Sequence, residues 1–159
     1  EFDRSKGIKT GVDLGTSSIV FVVLDSDNNP VFGAFEYADA VKDGLVVNYQ
    51  KSVEVVSRLK AQAEEALGCS ITSASGAIPP GTVGNNKRVV GNVIESSFMQ
   101  SDQLVDEPTA AALLLGLANG AVIDVGGGTT GISIIEDGQT AYIADEPTGG
   151  THITLVLAV

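Results

Sequence analysis

Val122-Ile123-Asp124-Val125-Gly126-Gly127-Gly128-Thr129-Thr130-Gly131 repeats, near the end of the chain, a phrase first met as Gly11-Val12-Asp13-Leu14-Gly15-Thr16-Ser17-Ser18. In each copy an apolar run delivers an Asp to a glycine turn, hydroxyl residues follow, and a second apolar run resumes, Ile19 to Leu24 or Ile132 to Ile135. Glycine lets a turning backbone come close to a ligand. Consecutive N–H groups and hydroxyls there can form an anion-binding nest. One copy would carry little weight. Two copies, related as an internal duplication, predict two similar lobes whose hairpins face one another across a nucleotide's phosphates.

Working outward, Thr10 to Leu24 reads as strand, turn and strand. Asp25-Ser26-Asp27-Asn28-Asn29-Pro30 is a turn cluster before a third strand, Val31 to Tyr37. Asp43-Gly44 marks another turn within Val41 to Val47. From Ser52 to Leu67 the apolar residues Val55, Val56, Leu59, Ala63, Ala66 and Leu67 recur at helical spacing, with Gly68 placed to stop the helix. A strand Ile71 to Ile78 ends at Pro79-Pro80-Gly81, and Asn86 to Phe98 shows a second helical face. A short strand Leu104 to Asp106 leads to a helix Thr109 to Leu117, whose first turn suits Pro108. Ala121 to Val125, Gly131 to Glu136 and Gln139 to Ala144 form a second meander, turned at Asp137-Gly138. The layout is α/β, a mixed sheet flanked by helices.

The 159 residues are 43% hydrophobic, which excludes disorder, and suffice for one good core or two small lobes. With 9 Lys and Arg against 20 Asp and Glu, the net charge of −11 gives no broad basic surface for nucleic acid or anionic membranes. A bound phosphate must therefore be held by local donors and a metal ion. The single Cys69 cannot form an internal disulfide, and no Cys/His cluster is present, so a reducing cytoplasm is expected. No apolar run approaches the length needed to cross a bilayer. Glu1 to Lys9 reads as a disordered arm. Thr151 to Val159 opens an apolar periodic segment that is expected to continue, the second lobe being truncated after its hairpin.

Asp13 and Asp124 each sit where a first strand meets its turn, so the two-lobe picture makes them converge. Two carboxylates facing phosphate oxygens need a divalent cation between. Mg²⁺ keeps several waters and uses one or two carboxylates. An Asp beside Gly also suits a simple Asx turn; recurrence in matched settings favours the paired role. Gly126, Gly127 and Gly128 are costly in chain entropy, and hydrogen bonds to a charged group contribute about 1.5–3 kcal/mol each, so a few loop donors can hold a phosphate without lysine. Asp106 and Glu107 lie at a helix N-terminus, where the macrodipole favours negative charge; they read either as caps or, for Glu107, as the carboxylate that orients a hydrolytic water. Lys42 and Arg88 read as solvated charges, and His152 as a structural or capping residue at a helix start.

Taken in order, GVDLGTSSI, VKDGLVV, DEPTAAALLLG, VIDVGGGTTGISI and EPTGGTHI resemble the actin, heat-shock-70 and sugar-kinase ATPase superfamily. The run from Thr10 to Val159 resembles the EutJ family, chaperone-like proteins of bacterial ethanolamine utilisation. The resemblance implies a ribonuclease H-like, actin-like ATPase domain. Its first lobe would span 10–109, and residues 110–159 would be the connecting helix and the start of the second lobe. It implies ATP and Mg²⁺, with Asp13 and Asp124 around the hydrated metal. Gly15, Thr16 and Ser17 would lie on one side of the phosphates, and Gly126, Gly127, Gly128, Thr129 and Thr130 on the other. Glu107 would be the hydrolysis-supporting carboxylate. It also implies a bacterial cytoplasmic setting and a protein partner in ethanolamine catabolism. A metabolite kinase of the same superfamily, or an MreB-like filament or scaffold protein, is the alternative. Heat-shock-70 relatives continue Gly-Gly-Glu-Asp where this chain has Gly149-Gly150-Thr151-His152, and nothing here matches the adenosine-binding motif. The chain alone is therefore expected to bind ATP weakly and to be inactive.

Overall fold

The computed structural model describes residues 7–42 and 45–158. Strand β1 (Ile8–Leu14) pairs antiparallel with β2 (Ser18–Asp25), and β2 with β3 (Pro30–Tyr37). Side chains alternate across a strand, so Ile19, Phe21 and Val23 are fully buried on one face of the sheet. The turn between β2 and β3 is closed by Asp25, whose Oδ1 accepts the N–H groups of Asp27 and Asn29, both at 2.9 Å. Ile8 and Lys9, which the sequence reading grouped with the arm, open β1 opposite Asp25 and Leu24. Residues 1–6 of that arm lie outside the described residues.

A small hairpin, β4 (Val41–Lys42) with β5 (Leu45–Val46), precedes helix α1 (Tyr49–Leu67). Its predicted Asp43-Gly44 turn lies outside the described residues. Helix α1 begins three residues before the predicted start because Asn48 caps it, its Oδ1 accepting the Lys51 N–H at 3.1 Å. Gly68 ends it as expected, left-handed at φ 63° with its N–H donating to the Glu64 carbonyl. Val55, Val56, Leu59, Ala63 and Leu67 form the buried face. Strand β6 (Ser73–Ile78) then pairs parallel with β1, and after α2 (Gly84–Ser96), β7 (Gln100–Asp106) pairs parallel with β6. Strand β7 is longer than predicted: the Gln100-Ser101-Asp102-Gln103 stretch carries no apolar pattern, and it runs along a sheet edge, where polar side chains are tolerated.

The five-stranded order is β3-β2-β1-β6-β7. Helices α1 and α2 enclose the main core with it, from Val12 and Ile19 to Val93 and Ile94. Helix α3 (Glu107–Leu115) leads out of this sheet, capped by the Asp106 carboxylate on the Thr109 N–H and stopped by Gly116 at φ 61°. It reaches a separate antiparallel sheet of β8 (Gly120–Val125), β9 (Thr130–Glu136) and β10 (Gln139–Glu146), followed by α4 (Gly150–Leu157). Several contacts seat this sheet on the first half. The Thr109 hydroxyl meets those of Ser133 and Thr140 at 3.3 and 3.1 Å, and Gly131 leaves just enough room for Pro80. Among the described residues no helix is long and apolar enough to cross a membrane.

Candidate functional site

The two hairpins share one register. Asp13 on β1 stands opposite Val20, and Asp124 on β8 stands opposite Gly131, seven residues on in each case. Both carboxylates therefore arrive at the same place relative to their turns, and both turns open on one cleft of about 140 Å³. Its walls include Asp13, Gly15, Thr16 and Ser17 from the first hairpin, and Asp124, Gly126, Gly127 and Thr129 from the second. Glu107 joins them because α3 starts at the rim, straight from the end of β7.

Two expected residues are placed otherwise. Gly128 is buried against Thr16, where a Cβ would come 2.7 Å from the threonine methyl, and it is not a wall of the cleft. Thr130 donates its hydroxyl to the Thr148 carbonyl at 2.6 Å and is not a wall of the cleft. Gly127 lies equally close to Ser17, whose hydroxyl a Cβ at 127 would overlap. The glycines thus serve a purpose that the sequence does not announce, contact between the two hairpins themselves. Lys42 and Arg88 are exposed and not among the cleft's walls.

Among the described residues the walls of the cleft carry carboxylates and no basic side chain. Burial, and then the charge of Asp124, raises the Asp13 carboxyl to about 6. Burial raises Glu107 to about 8, helped by the charges of Asp13, Asp124, Asp145 and Asp106. Asp145, near the end of β10, is not among the cleft's walls, but its charge acts on Glu107, and sequence reasoning missed it. Burial and the neighbouring Glu146 raise it, against a hydrogen bond from Thr129. Its only signal in the sequence was an acidic pair closing a strand, a common surface pattern.

Asp13 Oδ1 and Asp145 Oδ1 are buried without a hydrogen-bond partner. A buried carboxylate oxygen left so is costly, and an all-oxygen donor set matches a hard divalent cation. Among the described residues no three acidic, His or Cys side chains stand close enough to hold one ion directly. Two carboxylate oxygens of this kind suit a cation that keeps most of its waters, as Mg²⁺ does. On the walls of the same cleft, among the described residues, the N–H groups of Gly15, Thr16, Ser17 and Gly127 make no backbone hydrogen bond.

The family model described as Hsp70 protein matches residues 22–152. Ethanolamine utilization protein EutJ of Salmonella typhimurium is 46% identical over 148 residues, 93% of this chain and 52% of that protein. The crystal structure of ethanolamine utilization protein EutJ from Carboxydothermus hydrogenoformans superposes with a TM-score of 0.89 at 52% identity, covering 95% of this chain and 56% of that one. MreB5 of Spiroplasma citri, solved bound to ADP, shares the fold at a TM-score of 0.71 and 17% identity, over 91% of this chain and 53% of that one. The chain spans about half the length of the curated EutJ relatives it matches. It has the actin-like ATPase fold, and by the family match the chain belongs to the Hsp70 family.

Proposed function

We propose that this chain is the phosphate-gripping part of an ATP-binding, slowly ATP-hydrolysing protein of ethanolamine utilisation, in which nucleotide state sets the relation of two lobes and so regulates a protein partner. One observation carries the reading: two hairpins of identical register bring Asp13 and Asp124 to one cleft whose turns hold N–H groups that make no backbone hydrogen bond. Gly15, Thr16 and Ser17 bind phosphate from one side, and Gly126, Gly127 and Thr129 from the other. Asp13 and Asp124 hold the waters of a Mg²⁺ ion, which supplies the positive charge that the cleft lacks. Glu107, whose carboxyl is raised to about 8 chiefly by burial and then by the neighbouring carboxylates, orients the water that attacks the terminal phosphate.

Calorimetric titration of the full gene product with ATP and ADP, with and without MgCl₂, tests this. Binding that needs Mg²⁺ supports the reading. No binding of either nucleotide overturns it.

A further inference from the structure

The glycine loop of the second hairpin lies between two neighbours, the first hairpin and the start of α4. On the α4 side the Gly150 N–H donates to the Gly126 carbonyl at 2.8 Å, and the Thr151 N–H donates to the Gly127 carbonyl at 3.0 Å. A trans peptide is planar and its N–H points opposite to its C=O. Fixing these two carbonyls toward α4 therefore turns the N–H groups of Gly127 and Gly128 away from it. Neither makes a backbone hydrogen bond among the described residues. The first N–H groups of a helix lack intrahelical partners, so the start of α4 uses two of its own orphan donors to orient two others.

The approach is tight enough to require glycine at 149. That residue has an ordinary extended backbone, yet a Cβ on it would come 2.5 Å from the Gly126 oxygen and 2.7 Å from the Gly127 oxygen. The Gly149 N–H in turn donates to Nδ1 of His152 at 3.1 Å. This is the reach-back half of a capping box, in which the third residue of a helix satisfies the N-cap N–H. The Thr130 hydroxyl on the Thr148 carbonyl fastens the segment one residue earlier.

We propose that His152 is a positioning residue for the second phosphate loop: by capping Gly149 it keeps the start of α4 in register on Gly126 and Gly127, and so presents the N–H of Gly127, a wall of the cleft, to an anion. The anion's identity as a nucleotide phosphate rests on the reading above. The orientation of the loop is a property of the protein alone.

His152 is exposed, so its replacement leaves the core intact. His152→Ala removes the acceptor, whereas His152→Gln keeps one at the same helical position. In the full gene product, Mg-ATP affinity is measured by calorimetry, and exchange of the Gly150 and Thr151 amides by hydrogen exchange without nucleotide. His152→Ala is expected to weaken Mg-ATP binding by about fivefold to tenfold, the scale of a lost helix cap, and to speed exchange at both amides similarly. His152→Gln is expected to return both quantities to near wild type. Wild-type values in His152→Ala overturn the proposal, as does a His152→Gln protein that folds but behaves like His152→Ala. If the wild type takes no Mg-ATP, the nucleotide reading fails. The latch is then judged by exchange alone: faster and rescued supports it, unchanged overturns it.

Discussion

Gly127 lies directly against Ser17, so that the tip of one hairpin is packed on the tip of the other with no space for a side chain between them. This contact joins two sheets that are separate in hydrogen bonding. It predicts a coupled pair. Gly127→Ala forces an added methyl onto Ser17 and is expected to destabilise the protein by about 1–3 kcal/mol, the range for overpacking. Ser17→Gly alone is expected to cost little. The double variant should recover at least half of the loss, giving a coupling energy near 1 kcal/mol in urea unfolding. Additive behaviour would show that the hairpins do not touch in solution.

The carboxylate cluster sets a pH dependence. Glu107 has its folded pKa raised to about 8 and Asp13 to about 6, both above the ordinary carboxylate range. The folded state therefore binds these protons more tightly than the unfolded state. Stability falls wherever the native state holds the extra proton, that is, as pH rises from about 4.5 toward 8 for Glu107 and from about 4 to 6 for Asp13. Glu107→Gln, which cannot ionise, should have a shallower decline than wild type between pH 5 and pH 8 when metal is chelated. Parallel Tm-against-pH curves for the two proteins would contradict the burial of Glu107.

A divalent cation should reverse that penalty. With Mg²⁺ at ten times its dissociation constant at pH 8 the gain from binding the native state is about 1.4 kcal/mol, and at the same Mg²⁺ concentration it should be smaller at pH 5, where fewer of the carboxylates are ionised and the ion binds more weakly. Asp13→Asn should lose most of the gain, because Asp13 carries the buried, unpartnered oxygen. Thermal unfolding in MgCl₂ and in EDTA measures it. An Asp13→Asn protein stabilised as much as wild type would move the ion elsewhere.

The cap of α3 is separable from the charge it carries. Asp106 accepts the Thr109 N–H at 3.0 Å. Asn caps about as well as Asp, whereas Ala costs about 1 kcal/mol. Asp106→Asn should therefore keep its stability, and Asp106→Ala should lose about 1 kcal/mol in urea unfolding. A comparable loss in both would mean that charge, and not the hydrogen bond, holds the helix start.

What could be read from the residues in order is what local chemistry writes. The matched phrases at Asp13 and Asp124 predict two strand-turn-strand units because apolar runs, an Asp and glycines are neighbours in the chain, and both units are present in one register. The spacing from Val55 to Leu67 and the glycine at 68 predict α1 and its end. Where the pattern is weak the reading falls short: β7 has polar residues along an exposed edge, and the start of α1 depends on a single Asn48 side chain.

Tertiary structure alone decided what each of those pieces faces. Asp145 and Glu107 lie far apart in sequence, and only the return of β10 sets their charges on one another. Thr130 and Gly128 read like their neighbours in the phosphate phrase, yet Thr130 is bonded to the Thr148 carbonyl just before α4 and Gly128 is packed on Thr16 of the first hairpin. A sequence specifies the turn because backbone preference is local. It cannot state which surface of the turn stays free, because that depends on what the rest of the chain packs against it.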